Sequence, residues 1–162
     1  MHVSIDYTYD ALNRLISAEY SNGREALPEL SGGRTAFGYT YDAAGNVLTY
    51  AASHYGKTSV TTHTYDAANQ LLSATEGEIV WTYTYDGNGS LIESDPGTGV
   101  ANGSTRYTYN TAGYLTKVEN HDGVEWQTQS EMKYDGLGNR LEVTTYSDGE
   151  GNTIRYALDS GV

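Results

Sequence analysis

The chain contains no cysteine, so a disulfide framework and any thiolate-ligated metal site are excluded, though the absence does not choose between redox compartments. Basic residues are also scarce. Nine lysines and arginines stand against 21 aspartates and glutamates, a formal net charge of -12, which argues against nucleic acid or an anionic membrane as a partner. No stretch approaches 18 consecutive apolar residues, so no membrane insertion by a helix is expected, and Met1-His2-Val3-Ser4 lacks the basic and apolar regions of a signal peptide. Leucine, isoleucine, valine and phenylalanine amount to 27 of 162 residues. Beside that net charge, so small an aliphatic share would by itself point to disorder.

Tyrosine points the other way: there are sixteen, with two tryptophans, and each aromatic ring brings a large apolar area. They are not scattered. Tyr83-Thr84-Tyr85-Asp86-Gly87-Asn88-Gly89-Ser90-Leu91 is written, with variations, six times. The second aromatics of the copies are Tyr9, Tyr41, Tyr65, Tyr85, Tyr109 and Tyr134, spaced 32, 24, 20, 24 and 25 residues apart, the period of a repeat array. The first slot holds Tyr7, Tyr39, His63, Tyr83, Tyr107 and Met132. Two aromatics and a leucine cannot offset the backbone entropy of some 24 ordered residues, so each copy must lean on its neighbours.

Each copy reads as strand, tight turn, strand. Tyrosines two apart share one face of a pleated strand and put the intervening Thr on the other. An Asp follows, in five of the six copies, as the side chain that can hold the turn, with Asn110 in the other. Four residues after the second aromatic come Asn13, Gly45, Asn69, Gly89, Gly113 and Gly138, always the two residue types that enter the left-handed region most cheaply. The expectation is a type I turn closed by a positive-φ bulge residue. Leucine then resumes the sheet six residues after the tyrosine (Leu15, Leu71, Leu91, Leu115) or seven (Leu48, Leu141), which predicts two loop lengths. Second turns fall between copies, at Ser21-Asn22-Gly23, His54-Tyr55-Gly56-Lys57, Glu76-Gly77, Asp95-Pro96-Gly97, His121-Asp122-Gly123 and Ser147-Asp148-Gly149. About 12 strands result, in an all-β antiparallel meander whose strip of sheet is twisted and curled. Residues 24–38 and 94–104 read as long loops, with a short turn or helix in Glu25-Ala26-Leu27-Pro28-Glu29-Leu30.

The Tyr-Asp-x-x-Gly-Asn-x-Leu unit resembles the YD repeat of the Rhs family, found in bacterial Rhs proteins, in the B and C components of Tc-type toxin complexes, in wall-associated bacterial proteins and in teneurins. The resemblance runs from Tyr7 to about Asp159. It implies a spiral or partial shell of sheet that, in long members, encloses a C-terminal toxin or effector, and a location that is secreted or at the surface of a bacterium. Residues 1–162 then form one array of about six repeats cut from a larger protein, and Tyr156-Ala157-Leu158-Asp159 looks like the start of another unit. The partners implied are further repeats and the enclosed polypeptide. Asp95-Pro96-Gly97 lies between repeats and reads as an ordinary turn, so the self-cleavage of some family members is not carried over.

Chemistry is sparse. His2, His54, His63 and His121 show no triad or ligand spacing, and no Gly-x-Ser-x-Gly elbow occurs, so no enzyme is expected. The pairs Glu76/Glu78 and Glu93/Asp95 follow from strand alternation and read as solvated charge rather than a glycosidase dyad. Asp86-Gly87-Asn88-Gly89-Ser90 has oxygens at alternate positions, but Gly97 stands where a helix-flanked calcium loop needs Glu; calcium at an acidic turn is the one cofactor left open. Trp81 and Trp126 fall outside the tyrosine register and are the candidates for a carbohydrate platform. A glycan-binding surface module is therefore the alternative to a passive scaffold. Unpaired strands at the array's ends predict self-association through sheet edges or closure into a small barrel.

Overall fold

The computed structural model describes residues 4–21, 34–54, 57–97 and 103–157. Among these the secondary structure is all strand, thirteen in number where about 12 were expected, in two compact units, residues 1–80 and 81–162. The first unit holds β1 (Ser4–Tyr9), β2 (Leu15–Ser21), β3 (Arg34–Tyr41), β4 (Val47–His54), β5 (Lys57–Tyr65) and β6 (Leu71–Glu76). The second holds β8 (Leu91–Asp95), β9 (Thr105–Tyr109), β10 (Leu115–His121), β11 (Trp126–Tyr134), β12 (Arg140–Ser147) and β13 (Glu150–Arg155), together with most of β7 (Ile79–Tyr85), in which the boundary falls. Within each unit consecutive strands pair antiparallel in chain order, a meander without crossovers.

Why these segments pair is visible in β9, where Tyr107 and Tyr109 are half-buried while Arg106 and Thr108 face solvent, the period-two pattern of a strand with one protected face. Opposite the first aromatic stands a residue nine beyond the second. Tyr7 pairs with Ala18, His63 with Ala74 and Tyr83 with Ser94, and these small residues are buried beneath the rings. Ala18, Ala52, Ala74, Pro96 and Met132 are the buried apolar side chains among the described residues, the signature, within each unit, of a single sheet layer and not of two packed layers. On the other face hydroxyls pair across the hairpins: Thr8 with Ser17 at 2.6 Å, Thr40 with Thr49 at 2.6 Å and Thr64 with Ser73 at 2.7 Å.

Three expectations are corrected. There is one loop length: the residue six after the second aromatic pairs with it in every copy (Leu15, Val47, Leu71, Leu91, Leu115, Arg140), and the seventh (Ile16, Leu48, Leu72, Ile92, Thr116, Leu141) is skipped as a bulge. Leu48 and Leu141 suggest a longer loop in the sequence because the bulge position also takes leucine. Residues 34–38, read as loop, belong to β3, where Ala36, Phe37 and Gly38 pair with both neighbours. Ser94 and Asp95, also read as loop, end β8, since Glu93 and Ser94 pair with Arg106 and Thr105. The short turn or helix expected at Glu25–Leu30, the turns around Asn22-Gly23 and Tyr55-Gly56, and the unit expected to open at Tyr156 fall wholly or partly outside the described residues.

Candidate functional site

Every copy of the repeat builds the same turn. Asn13 N–H donates to the Asp10 carbonyl at 3.0 Å, and Asp10 N–H to the Arg14 carbonyl at 3.0 Å. The equivalent bonds recur at Asp42, Asp66, Asp86, Asn110 and Asp135, the arrangement of a type I turn closed by a bulge. The closing residue has φ of 59° at Asn13, 96° at Gly45, 63° at Asn69, 85° at Gly89, 82° at Gly113 and 86° at Gly138. A chain reversal needs that left-handed residue, and only Gly and Asn adopt it cheaply.

The aspartate clasps its own turn. Asp10 Oδ1 accepts from the backbone N–H of Leu12 and of Arg14, both at 2.9 Å. Asp66, Asp86 and Asp135 do the same, and Asn110 does so with a neutral amide oxygen, accepting from Ala112 and Tyr114 at 3.0 Å. In three copies the second carboxylate oxygen accepts from the side chain of the fifth residue after the tyrosine: Arg14 Nε at 2.7 Å, Asn46 Nδ2 at 2.8 Å and Asn139 Nδ2 at 2.9 Å. These bonds hold Asp10, Asp42 and Asp135 below their ordinary pKa, led by the Arg14 backbone N–H at Asp10 and by the Asn46 and Asn139 side chains at the other two.

The second tyrosine joins one hairpin to the one before it. Tyr41 donates its hydroxyl to the Leu15 carbonyl at 2.7 Å, Tyr65 to Val47 at 2.9 Å, Tyr109 to Leu91 at 3.0 Å and Tyr134 to Leu115 at 2.9 Å. Each acceptor lies two residues past the last pair between the hairpins, Ser17, Thr49, Glu93 and Lys117 respectively. The backbone ladder therefore stops short of the turn, and the phenol reaches across where it ends. Arg14 reinforces one such junction, its guanidinium 4.6 Å from the Tyr41 ring centroid and its Nη1 donating to the Asp42 carbonyl at 2.9 Å. Asn46 reinforces another by donating to Asn69 Oδ1 at 2.8 Å. Tyr9, whose repeat has no preceding hairpin among the described residues, is 57% exposed.

The two tryptophans are held by different neighbours. Trp81 lies on β7 on the same face as Tyr83 and Tyr85, contrary to the expectation that it breaks their register. Its ring borders Gly103, as does the ring of the fully buried Pro96. Trp126 does leave the tyrosine face: the β10–β11 register skips Gln129, and this bulge turns the strand. Its ring lies against the Arg106 guanidinium, 3.9 Å from the centroid, and edge-on to His121 at 5.1 Å, so protein atoms already occupy one stacking surface. His63, in the first aromatic slot, has a buried Nδ1 without a hydrogen-bond partner. No group of three or more histidine or carboxylate side chains placed to hold a metal ion occurs among the described residues, and Asp86 Oδ1 is taken by the N–H groups of Asn88 and Ser90.

The sequence signal for the turns was strong; that for the tyrosine hydroxyls was hidden, because the acceptor is a backbone carbonyl with no side-chain identity. Comparison with known proteins adds a family and a fold. The family model described as Teneurin YD-shell matches residues 1–158. The crystal structure of TcdB2-TccC3 without its hypervariable C-terminal region superposes with a TM-score of 0.60 at 21% identity over 87% of this chain and 7% of that one. A second TcdB2-TccC3 crystal structure gives 0.58 at 19% identity over 90% of this chain and 8% of that one. The Photorhabdus luminescens Tc holotoxin pore carrying TccC3-D651A gives 0.55 at 14% identity over 96% and 10%. The chain thus spans a tenth or less of the length of these structures.

Proposed function

Since the chain belongs to the teneurin YD-shell family, we propose that it is a non-catalytic length of wall, one part of a shell that encloses or displays another polypeptide outside the cell. One observation carries the reading: the recurrent parts of each repeat, the Asp clasp, the positive-φ residue and the tyrosine hydroxyl, are all consumed in fixing one hairpin and bonding it to the one before. Residues repeated along the array and spent on its own backbone are what a passive wall requires.

The same reading expects the outer edges of β1 and β13 to pair with further strands of a longer array, or with second copies when the chain is alone. Sedimentation velocity checks the second case, and a monomer at every concentration would count against it. The enclosing role is tested by limited proteolysis of the complete source polypeptide. Sequences it encloses should resist protease at levels that rapidly cut the same sequences expressed alone; equal cleavage rates would overturn the proposal.

A further inference from the structure

Between β11 and β12 the sheet opens. The two strands pair from the turn outward as far as Ser130 and Thr145, and both then continue without pairing to each other. On their outer sides they remain satisfied: Trp126, Gln127 and Thr128 pair with β10, and Tyr146 and Ser147 with β13. The opening is lined by residues 126–129 and 146–149, and its volume is about 650 Å³. Four consecutive strand residues of β11 line one side, and Tyr146 and Ser147 of β12 with the turn residues Asp148 and Gly149 line the other; consecutive strand side chains point to opposite faces, so it is a slot running through the sheet and not a cup on one surface.

That volume leaves room for a short extended segment. Four residues at about 3.3 Å each, one strand spacing of about 4.8 Å and one sheet thickness of about 10 Å enclose roughly 630 Å³. The charge around it is negative. Asp122 and Glu125 are gathered at one end by Gln127 Nε2, at 3.2 and 3.0 Å, and Asp148 and Glu150 stand at the turn on the other side. The Arg106 guanidinium beside Trp126 is spent on that ring and on Glu93 at 3.3 Å.

We propose that this slot takes up a short extended segment of another polypeptide, about four residues long and cationic, as an inserted strand. The free edge of β11 and the short end of β12 at Tyr146 supply main-chain hydrogen bonds, Trp126 and Tyr146 supply apolar surface, and the carboxylates select positive charge. That the segment comes from an enclosed polypeptide rests on the shell reading; the binding itself does not.

The probe is an acetylated, amidated heptapeptide alternating lysine with valine, titrated into the full ¹⁵N-labelled chain. Saturable shifts confined to the amides of residues 126–129 and 146–149 are expected, with about tenfold or weaker binding when alternate peptide nitrogens are methylated, which keeps the side chains and removes the ladder. Ser147→Trp, which fills the slot from an exposed position, should abolish the shifts. Equal binding of the methylated peptide or of a glutamate-for-lysine peptide would overturn the proposal, as would shifts elsewhere or none at all. Shifts of these same amides by chitotriose but not by the peptide would reassign the slot to carbohydrate.

Discussion

Replacing Tyr65 by Phe removes one oxygen and keeps the ring, its area and its packing, so the effect isolates the bond to the Val47 carbonyl. A net intramolecular hydrogen bond contributes about 0.5–1.5 kcal/mol, toward the upper end where the abandoned partner is shielded from water. This junction is partly buried, so a loss of about 1 kcal/mol is expected, or a fall in Tm of about 3 °C for a chain of this length. Tyr41→Phe, Tyr109→Phe and Tyr134→Phe break the same bond to Leu15, Leu91 and Leu115 and should each cost a similar amount. Tyr9→Phe is the internal control: same slot, ring 57% exposed, no earlier hairpin among the described residues to bond, and an expected change within about 0.5 kcal/mol. Urea titration followed by circular dichroism measures all five, with the denaturant slope unchanged if only stability moves. If Tyr9→Phe costs as much as Tyr65→Phe, or if Tyr65→Phe costs nothing, the hydroxyls do not join the hairpins.

Acid should weaken the chain. Asp10, Asp42 and Asp135 titrate below their ordinary value when folded, so their contribution is full above the unfolded carboxylate pKa and is lost as pH falls through the folded one, and Tm should drop below about pH 4. Asn110 shows that an amide oxygen serves the same turn, so the triple replacement of these aspartates by Asn should flatten that acid limb in a Tm-against-pH series; an unchanged limb would place the titration elsewhere. Gly138→Ala should cost more than Gly113→Ala in a thermal melt, since Tyr114 must shift to make room. Both have positive φ, but a methyl group at 138 strikes the Tyr114 hydroxyl whereas at 113 it meets open space, and equal losses would mean that backbone strain alone decides. His63→Phe removes the unpartnered Nδ1 from the first aromatic slot and should raise stability by about 1 kcal/mol in urea titration; a loss would show that the imidazole has a partner in solution.

Much of the fold could be read from the chain because its signals are local. A tyrosine pair, an Asp and a Gly or Asn at fixed spacing dictate a reversal whatever lies around them, and the family and the antiparallel meander followed. The misreadings in the hairpins have one cause: the bulge. Leucine occupies either the paired position, as at Leu71, or the skipped one, as at Leu48, and composition cannot tell an in-register residue from its bulged neighbour. Trp126 differs from Trp81 for the same reason, since the skip at Gln129 is set by pairing with β10 and leaves no mark in the sequence of β11. The phenol-to-carbonyl bonds and the slot were equally illegible, because backbone acceptors and the absence of a neighbour have no letters.

The choice of a main-chain oxygen as the receptor of the joining hydroxyl, at Tyr41, Tyr65, Tyr109 and Tyr134, makes the hairpins interchangeable. Any copy that ends its turn in the standard way offers the same oxygen, so a unit can be duplicated, deleted or shuffled by recombination without a compensating change in the unit beside it. Arrays of very different length can thus grow from one kind of brick.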